Sequence, residues 1–282
     1  MPVFDTPEPI IATIEVGVGD VRIAASDRED TVVDVRPSDP SNQEDTKAAE
    51  QTRVEFEQDH LLVKTPKLRT WALRSHGGSV DVTVELPLRS SVVGAGQLTD
   101  FRTEGELGDL RIKTGIGRIG VEHAARLNLK AGAGEITVER ATAHADVNAG
   151  SGDVRLSELG DTAVVKNSNG DTWIGVAAGE LRVNAANGDI AVEQARAGVG
   201  AKSANGSVRL GEVARGSVVL ETKIGELEVG IREGSAAWLD VSSDTGRVHT
   251  ALDAADAPEP ATETVRVRAR TSIGDIVIGR AS

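Results

Sequence analysis

The chain has no cysteine and no tyrosine, a single methionine, and aromatic residues at only 2% of its 282 positions. Without thiols there is no disulfide, no thiolate metal site and no cysteine nucleophile. Scarce rings leave Val, Ile, Leu and Ala to build the core, and that composition suits thin stacked layers. Basic runs are missing, and a net charge of -13 argues against a nucleic-acid partner. No run reaches the roughly eighteen apolar residues of a membrane-spanning helix. The opening Met1-Pro-Val-Phe-Asp-Thr-Pro-Glu lacks the basic and apolar regions of a signal peptide. The expectation is a cytoplasmic protein, with peripheral association with an envelope left open.

What the chain has is a repeat. Lys166-Asn-Ser-Asn-Gly-Asp-Thr-Trp-Ile174 returns with glycines in the same context at Gly117, Gly134, Gly152, Gly170, Gly188, Gly206, Gly225, Gly246 and Gly274, the central ones eighteen residues apart. Two residues after the glycine stand Ile119, Ile136, Val154, Thr172, Ile190, Val208, Leu227, Val248 and Ile276. Four after it come Val121, Val138, Leu156, Ile174, Val192, Leu210, Val229, Thr250 and Ile278, and five before it Ile112, Leu129, Val147, Val165, Val183, Ala201, Leu220, Val241 and Ala269. Apolar residues alternating with polar ones on both sides of a turn make half-buried strands. One such unit buries too little to offset its backbone entropy, so the units must stack.

The reading is an all-β solenoid of coils of about eighteen residues, in the manner of a parallel β-helix; stacked antiparallel hairpins are the alternative. A single domain over 1–282 is expected, with an irregular β segment at 1–90 and the regular stack at 91–282. In the first part, Ile10 to Arg36 already carries the repeat around Gly19, Val54 to Lys64 and Ser79 to Leu86 read as strands, and Pro37 to Thr52 and Thr65 to Gly78 are excursions. A third excursion spans Ala251 to Thr262. The last strand, Ile273 to Ile278, runs almost to the end of the chain and is expected to leave an open edge. Either the N-terminal strands fold back over it, giving a monomer, or a second copy covers it, giving a dimer; the dimer is favoured.

The repeated Ser/Asn-x-Gly-Asp-apolar-x-apolar units, the opening Phe4-Asp-Thr-Pro-Glu-Pro and the closing Arg270-Thr-Ser-Ile-Gly-Asp resemble the bacterial β-strand-repeat family labelled "putative adhesin", or toastrack. The resemblance covers essentially the whole chain. It implies a β-solenoid-like domain and, in some members, association with membrane-stress systems; it implies no catalytic residues.

Several motifs have plain structural explanations. Gly115-Ile-Gly-Arg-Ile-Gly120 spells G-x-G-x-x-G, but a strand follows where a phosphate site needs a helix. Gly150-Ser-Gly-Asp153 lacks the full nucleophile-elbow spelling. The glycines supply a turn conformation that other residues resist, and Asn169, Asn187 and Asn205 before them would stack as an amide ladder. Asp153, Asp171 and Asp189 after them would repel at strand spacing. A cation could relieve that, although the second acidic position of calcium-binding repeats is missing; Lys113, Lys130, Lys166 and Lys202 could neutralise the row instead. The five histidines show no zinc spacing, and no cofactor is expected. Trp173 points outward beside Arg155. Trp71, with Arg69, Arg74 and His76 in a glycine-ended loop, is the other candidate for a partner surface.

Three function classes follow: a non-catalytic scaffold that binds a protein or itself, with a link to the envelope or to membrane stress as the resemblance implies for some members; a surface adhesin-like binder; and a carbohydrate-active enzyme on a β-helix. The acids recur at turns rather than as a catalytic cluster, which favours the scaffold.

Overall fold

The computed structural model describes residues 1–66, 78–252 and 263–281. Among them the only helix is α1 (Gln43–Glu50), and everything else regular is strand. The chain contacts divide it into two compact units, Met1–Glu139 and Arg140–Ser282.

In the first unit, β1 (Val3–Asp5), β2 (Ile11–Ser26) and β3 (Asp30–Pro37) precede α1. After it come β4 (Arg53–Glu57), β5 (His60–Lys64), β6 (Val80–Pro87), β7 (Ser91–Ile116), β8 (Ile119–Ala133) and β9 (Ile136–Ala141), which contains the boundary. The middle of the unit is parallel: β7 pairs with β2 on one side and β8 on the other, while β2 also pairs with β5 and β6. The outer strands are antiparallel, with β4 on β5, β3 on β6 and β1 on β3. The stretch from Val54 to Lys64 is therefore a hairpin rather than one strand, because Gln58 and Asp59 turn the chain with positive φ. Asn42 caps α1 by accepting the Glu44 N–H, and buried Asp45 accepts the amides of Asp39 and Ser79. Phe4 and Phe56 stack with centroids 5.0 Å apart.

The second unit is built of two-strand coils: β10 (Ala145–Ser151) with β11 (Val154–Leu159), β12 (Ala163–Asn169) with β13 (Thr172–Ala177), and β14 (Leu181–Asn187) with β15 (Ile190–Ala195). Next are β16 (Val199–Asn205) with β17 (Val208–Val213), and β18 (Gly216–Ile224) with β19 (Leu227–Ile231). Pairing is parallel, eighteen residues apart from β10 to β17 and nineteen onto β18 and β19: Val165 lies between Val147 and Val183, not opposite Thr172 across the Asn169–Gly170 turn. That removes the hairpin alternative and makes the fold a β-solenoid. Positive φ at the corner glycines, +129° at Gly170 and +127° at Gly188, turns each strand away from its predecessor instead of back along it.

The inward slots are buried as their apolar alternation requires, Val165, Val183, Ile190 and Leu210 among them. The exception lies at the end of the stack. β20 (Ala236–Thr245) and β21 (Val248–Thr250) do not pair with β18 and β19. Instead β22 (Thr264–Ile273) and β23 (Ile276–Arg280) insert between them, so that β18 pairs with β22 and β22 with β20, and likewise β19 with β23 and β23 with β21. The expected open edge at the C-terminal strand is therefore closed on both sides. Among the described residues the outermost coil is β20–β21, from earlier in the chain. Its core-facing Val241 is only half-buried, and Val248 and Thr250, expected inside, are exposed, with no further coil beyond them among the described residues. The N-terminal strands, expected as one possible cover for that end, pair within their own unit.

Candidate functional site

At the corner of the second unit, the polar rows that the sequence offers as ligands are occupied by the scaffold itself. The Asn187 side-chain N–H donates to Asn169 Oδ1 at 2.8 Å, and that of Asn205 to Asn187 Oδ1 at 2.9 Å, a continuous amide ladder. Each aspartate after the glycine accepts a backbone N–H from the next coil: Asp153 from Asp171 at 3.0 Å, Asp171 from Asp189 at 2.9 Å, and Asp189 from Ser207 at 2.8 Å. The row thus offsets its own repulsion by hydrogen bonds to amides at the corner. The lysines do not serve it: Lys202 pairs with Glu221 at 2.8 Å, and among the described residues none of Lys113, Lys130, Lys166 or Lys202 reaches the aspartates.

A further row went unread in the sequence. Three residues before the glycine, facing inward, stand Asn167, Ser203, Thr222 and Thr271. They donate to the carbonyl of the glycine one coil earlier: Asn167 to Gly152 at 3.1 Å, Ser203 to Gly188 at 3.5 Å, Thr222 to Gly206 at 2.9 Å and Thr271 to Gly225 at 3.0 Å. The signal was a polar residue recurring on an otherwise apolar face.

Trp173 lies on the outer face between Arg155 and Ala191 in register, with its indole N–H donating to Glu193 at 3.0 Å. Trp71, Arg69, Arg74 and His76 lie outside the described residues.

The first unit carries a groove of about 920 Å³ on its outward face. Asp81, Asp20 and Asp100 stand side by side on β6, β2 and β7, and the next outward row holds Thr83, Arg22 and Arg102. The arginines already have carboxylate partners: Arg118 chelates Asp100 at 2.8 and 2.9 Å, and Arg102 and Arg22 reach Glu104 at 3.2 and 3.8 Å. Burial, and then the charges of Asp100 and Asp81, push the Asp20 carboxyl above its ordinary value, with Arg118 opposing them. A carboxyl raised in the folded state costs stability as pH rises from 3.8, because the unfolded chain ionises first. Asp20→Asn is therefore expected to raise the melting temperature near neutral pH, and the gain to vanish below 3.8, as thermal unfolding at the two pH values would show.

The last coils of the second unit differ from both sites in exposing large apolar side chains and, among the described residues, in leaving β20 paired on one side. Trp238, missed in the sequence reading, is 61% exposed on β20 beside Arg266 in register. Ile224 and Ile273 pair at the corner where asparagines stand in earlier coils, each 52% exposed, and Val248 and Val277 are exposed nearby. In the coils from β10 to β17, Trp173 is the one exposed large apolar residue among the described residues.

Among the described residues no helix is long and apolar enough to cross a membrane, a statement that leaves β-barrels aside. No curated protein gives a significant match. Solved structures that match over nearly the whole chain include a "putative adhesin" from Bacteroides fragilis, at 12% identity and TM-score 0.32 over 98% of this chain and 95% of that one. A "putative lipid binding protein" from Parabacteroides distasonis gives 12% identity and TM-score 0.32 over 100% and 94%, and a "putative cell adhesion protein" from Clostridium sporogenes 10% and 0.24 over 99% and 98%. At such TM-scores these likenesses carry no argument about function. The family model called Toastrack DUF4097 matches residues 11–278, nearly the whole solenoid, and the chain belongs to that family.

Proposed function

We propose that this toastrack chain is a non-catalytic β-repeat scaffold that docks a protein partner through the open coil β20–β21. The observation that carries this reading is the edge itself. β20 is ten residues long and, among the described residues, pairs on one side only, with β22, while its core-facing side chains are only half covered. An edge strand of this length with apolar neighbours is a template for a strand from another chain. The polar rows of the coils support the same reading, because their side chains are spent on holding one coil to the next. The adhesin-like alternative uses the same non-catalytic surface.

A benzophenone photo-crosslinker in place of Trp238 is expected to capture the partner from the native host, while one in place of Arg182, on a central coil, does not. Equal capture at both positions, or capture at Arg182 alone, would move the docking surface away from the edge.

A further inference from the structure

The amide ladder ends at Asn205, and we propose that the Asn205–Gly206 corner is for that reason a site of spontaneous deamidation, while Asn169 and Asn187 in the same ladder are held intact. Asparagine followed by glycine is chemically labile, because a residue without a side chain leaves its backbone nitrogen open to the carboxamide before it. The chain has three such pairs, Asn169–Gly170, Asn187–Gly188 and Asn205–Gly206, and all three asparagines are exposed to water.

In the reaction the Gly206 nitrogen loses its proton and bonds to Asn205 Cγ, the Cγ–Nδ2 bond breaks, and ammonia leaves with that proton. A five-membered imide remains. Water then opens the ring. Breaking the bond from the nitrogen to Cγ gives aspartate, and breaking the bond to the backbone carbonyl carbon gives isoaspartate, with the main chain rerouted through Cγ.

Two restraints oppose the first step in the folded chain. The backbone nitrogen is engaged at every corner: the N–H of Gly170 donates to Asn187 O at 3.0 Å, that of Gly188 to Asn205 O at 2.9 Å and that of Gly206 to Ile224 O at 2.9 Å. The carboxamide must also swing over that nitrogen, and here the three differ. Asn187 is held at both ends, donating to Asn169 Oδ1 at 2.8 Å and accepting from Asn205 Nδ2 at 2.9 Å. Asn169 is held at both ends too, accepting from Asn187 and donating to Gly150 O at 3.3 Å. Asn205 donates to Asn187 but, among the described residues, its Oδ1 accepts from none, since the next position in the ladder is Ile224.

Conversion strikes where the corner has no slack. A carboxylate has no N–H to give, so the rung from Asn205 to Asn187 becomes oxygen against oxygen. Isoaspartate adds a main-chain atom beside Gly206, where even a Cβ would lie 2.0 Å from Gly188 O. The contact with β18–β19, the coil stacked on that corner, is loosened as a result.

Peptide mapping by mass spectrometry of the native chain held at mildly alkaline pH is expected to find conversion at Asn205 first. Conversion at Asn187 should be slower by up to about tenfold, the factor that one further hydrogen bond on the carboxamide is worth. In urea, where no ladder exists, the three should convert at similar rates. Ile224→Asn, at an exposed position, supplies the missing donor. It is expected to slow Asn205 to the rate of Asn187 and to pass the reaction to the new ladder end at 224, which Gly225 follows. Equal native rates at the three corners, including no conversion at any of them, overturn the proposal. The same order in urea as in the native chain overturns it too, by assigning the difference to local sequence. So does an unchanged rate at Asn205 in an Ile224→Asn variant whose circular dichroism matches the parent.

Discussion

Gly188→Ala is expected to cost the second unit about 3 kcal/mol or more, a large effect for adding one methyl group. Two constraints meet at this position. Its φ of +127° is one that residues with a side chain avoid, and an added Cβ would lie 2.2 Å from the carbonyl oxygen of Gly170 in the coil below. That oxygen is backbone, held at the coil spacing, and cannot move aside without opening the ladder on both sides. Gly170 and Gly206 stand in the same situation, against Gly152 and Gly188 at 2.3 and 2.0 Å. Chemical denaturation followed by circular dichroism measures the loss. A variant as stable as the parent would mean that the coils can separate at the corner, contrary to the hydrogen bond from the Gly188 N–H to Asn205 O at 2.9 Å.

Val183→Asp is expected to cost about 3–5 kcal/mol, the usual loss when an unpaired charge is placed in a core. Val183 is fully buried between Val165 below and Ala201 above. No basic side chain shares that face, so the carboxylate has neither water nor a partner. Because each coil contacts only its neighbours, the damage should spread outward from β14, and amide exchange should report it first in β12 and β16. Lys166→Asp, at an exposed position in the adjacent coil, is the control and should change stability little. Similar losses for the two variants would contradict the inward and outward assignment.

Much of this was open to reading in the chain. The period near eighteen follows from the corner glycines, and the slots two and four after each glycine are buried through Leu227 and Val229 because strand alternation leaves them no other face. The amide ladder was legible for the same reason: three asparagines at one register position must stack if the coils do. The aspartate row was misread, because charge spacing alone suggested lysine or a cation. The actual partner is a backbone N–H whose direction depends on the glycine's positive φ. Trp238 stands three residues before the inward Val241, so alternation already pointed it outward; only its place in the last coil was hidden from the sequence.

The sequence by itself determined the repeat, the side of each strand that is buried and the residues at each corner, since all of these depend on positions a few residues apart. Tertiary structure alone decided the order of the last coils. β22 and β23 carry the same alternation as β20 and β21, so either pair could follow β18 and β19 by local pattern. The choice was made by which strands find hydrogen-bonding partners on both sides. Tucking the C-terminal strands inside satisfies their edges and passes the open one to β20, a trade between distant segments that no local spacing encodes.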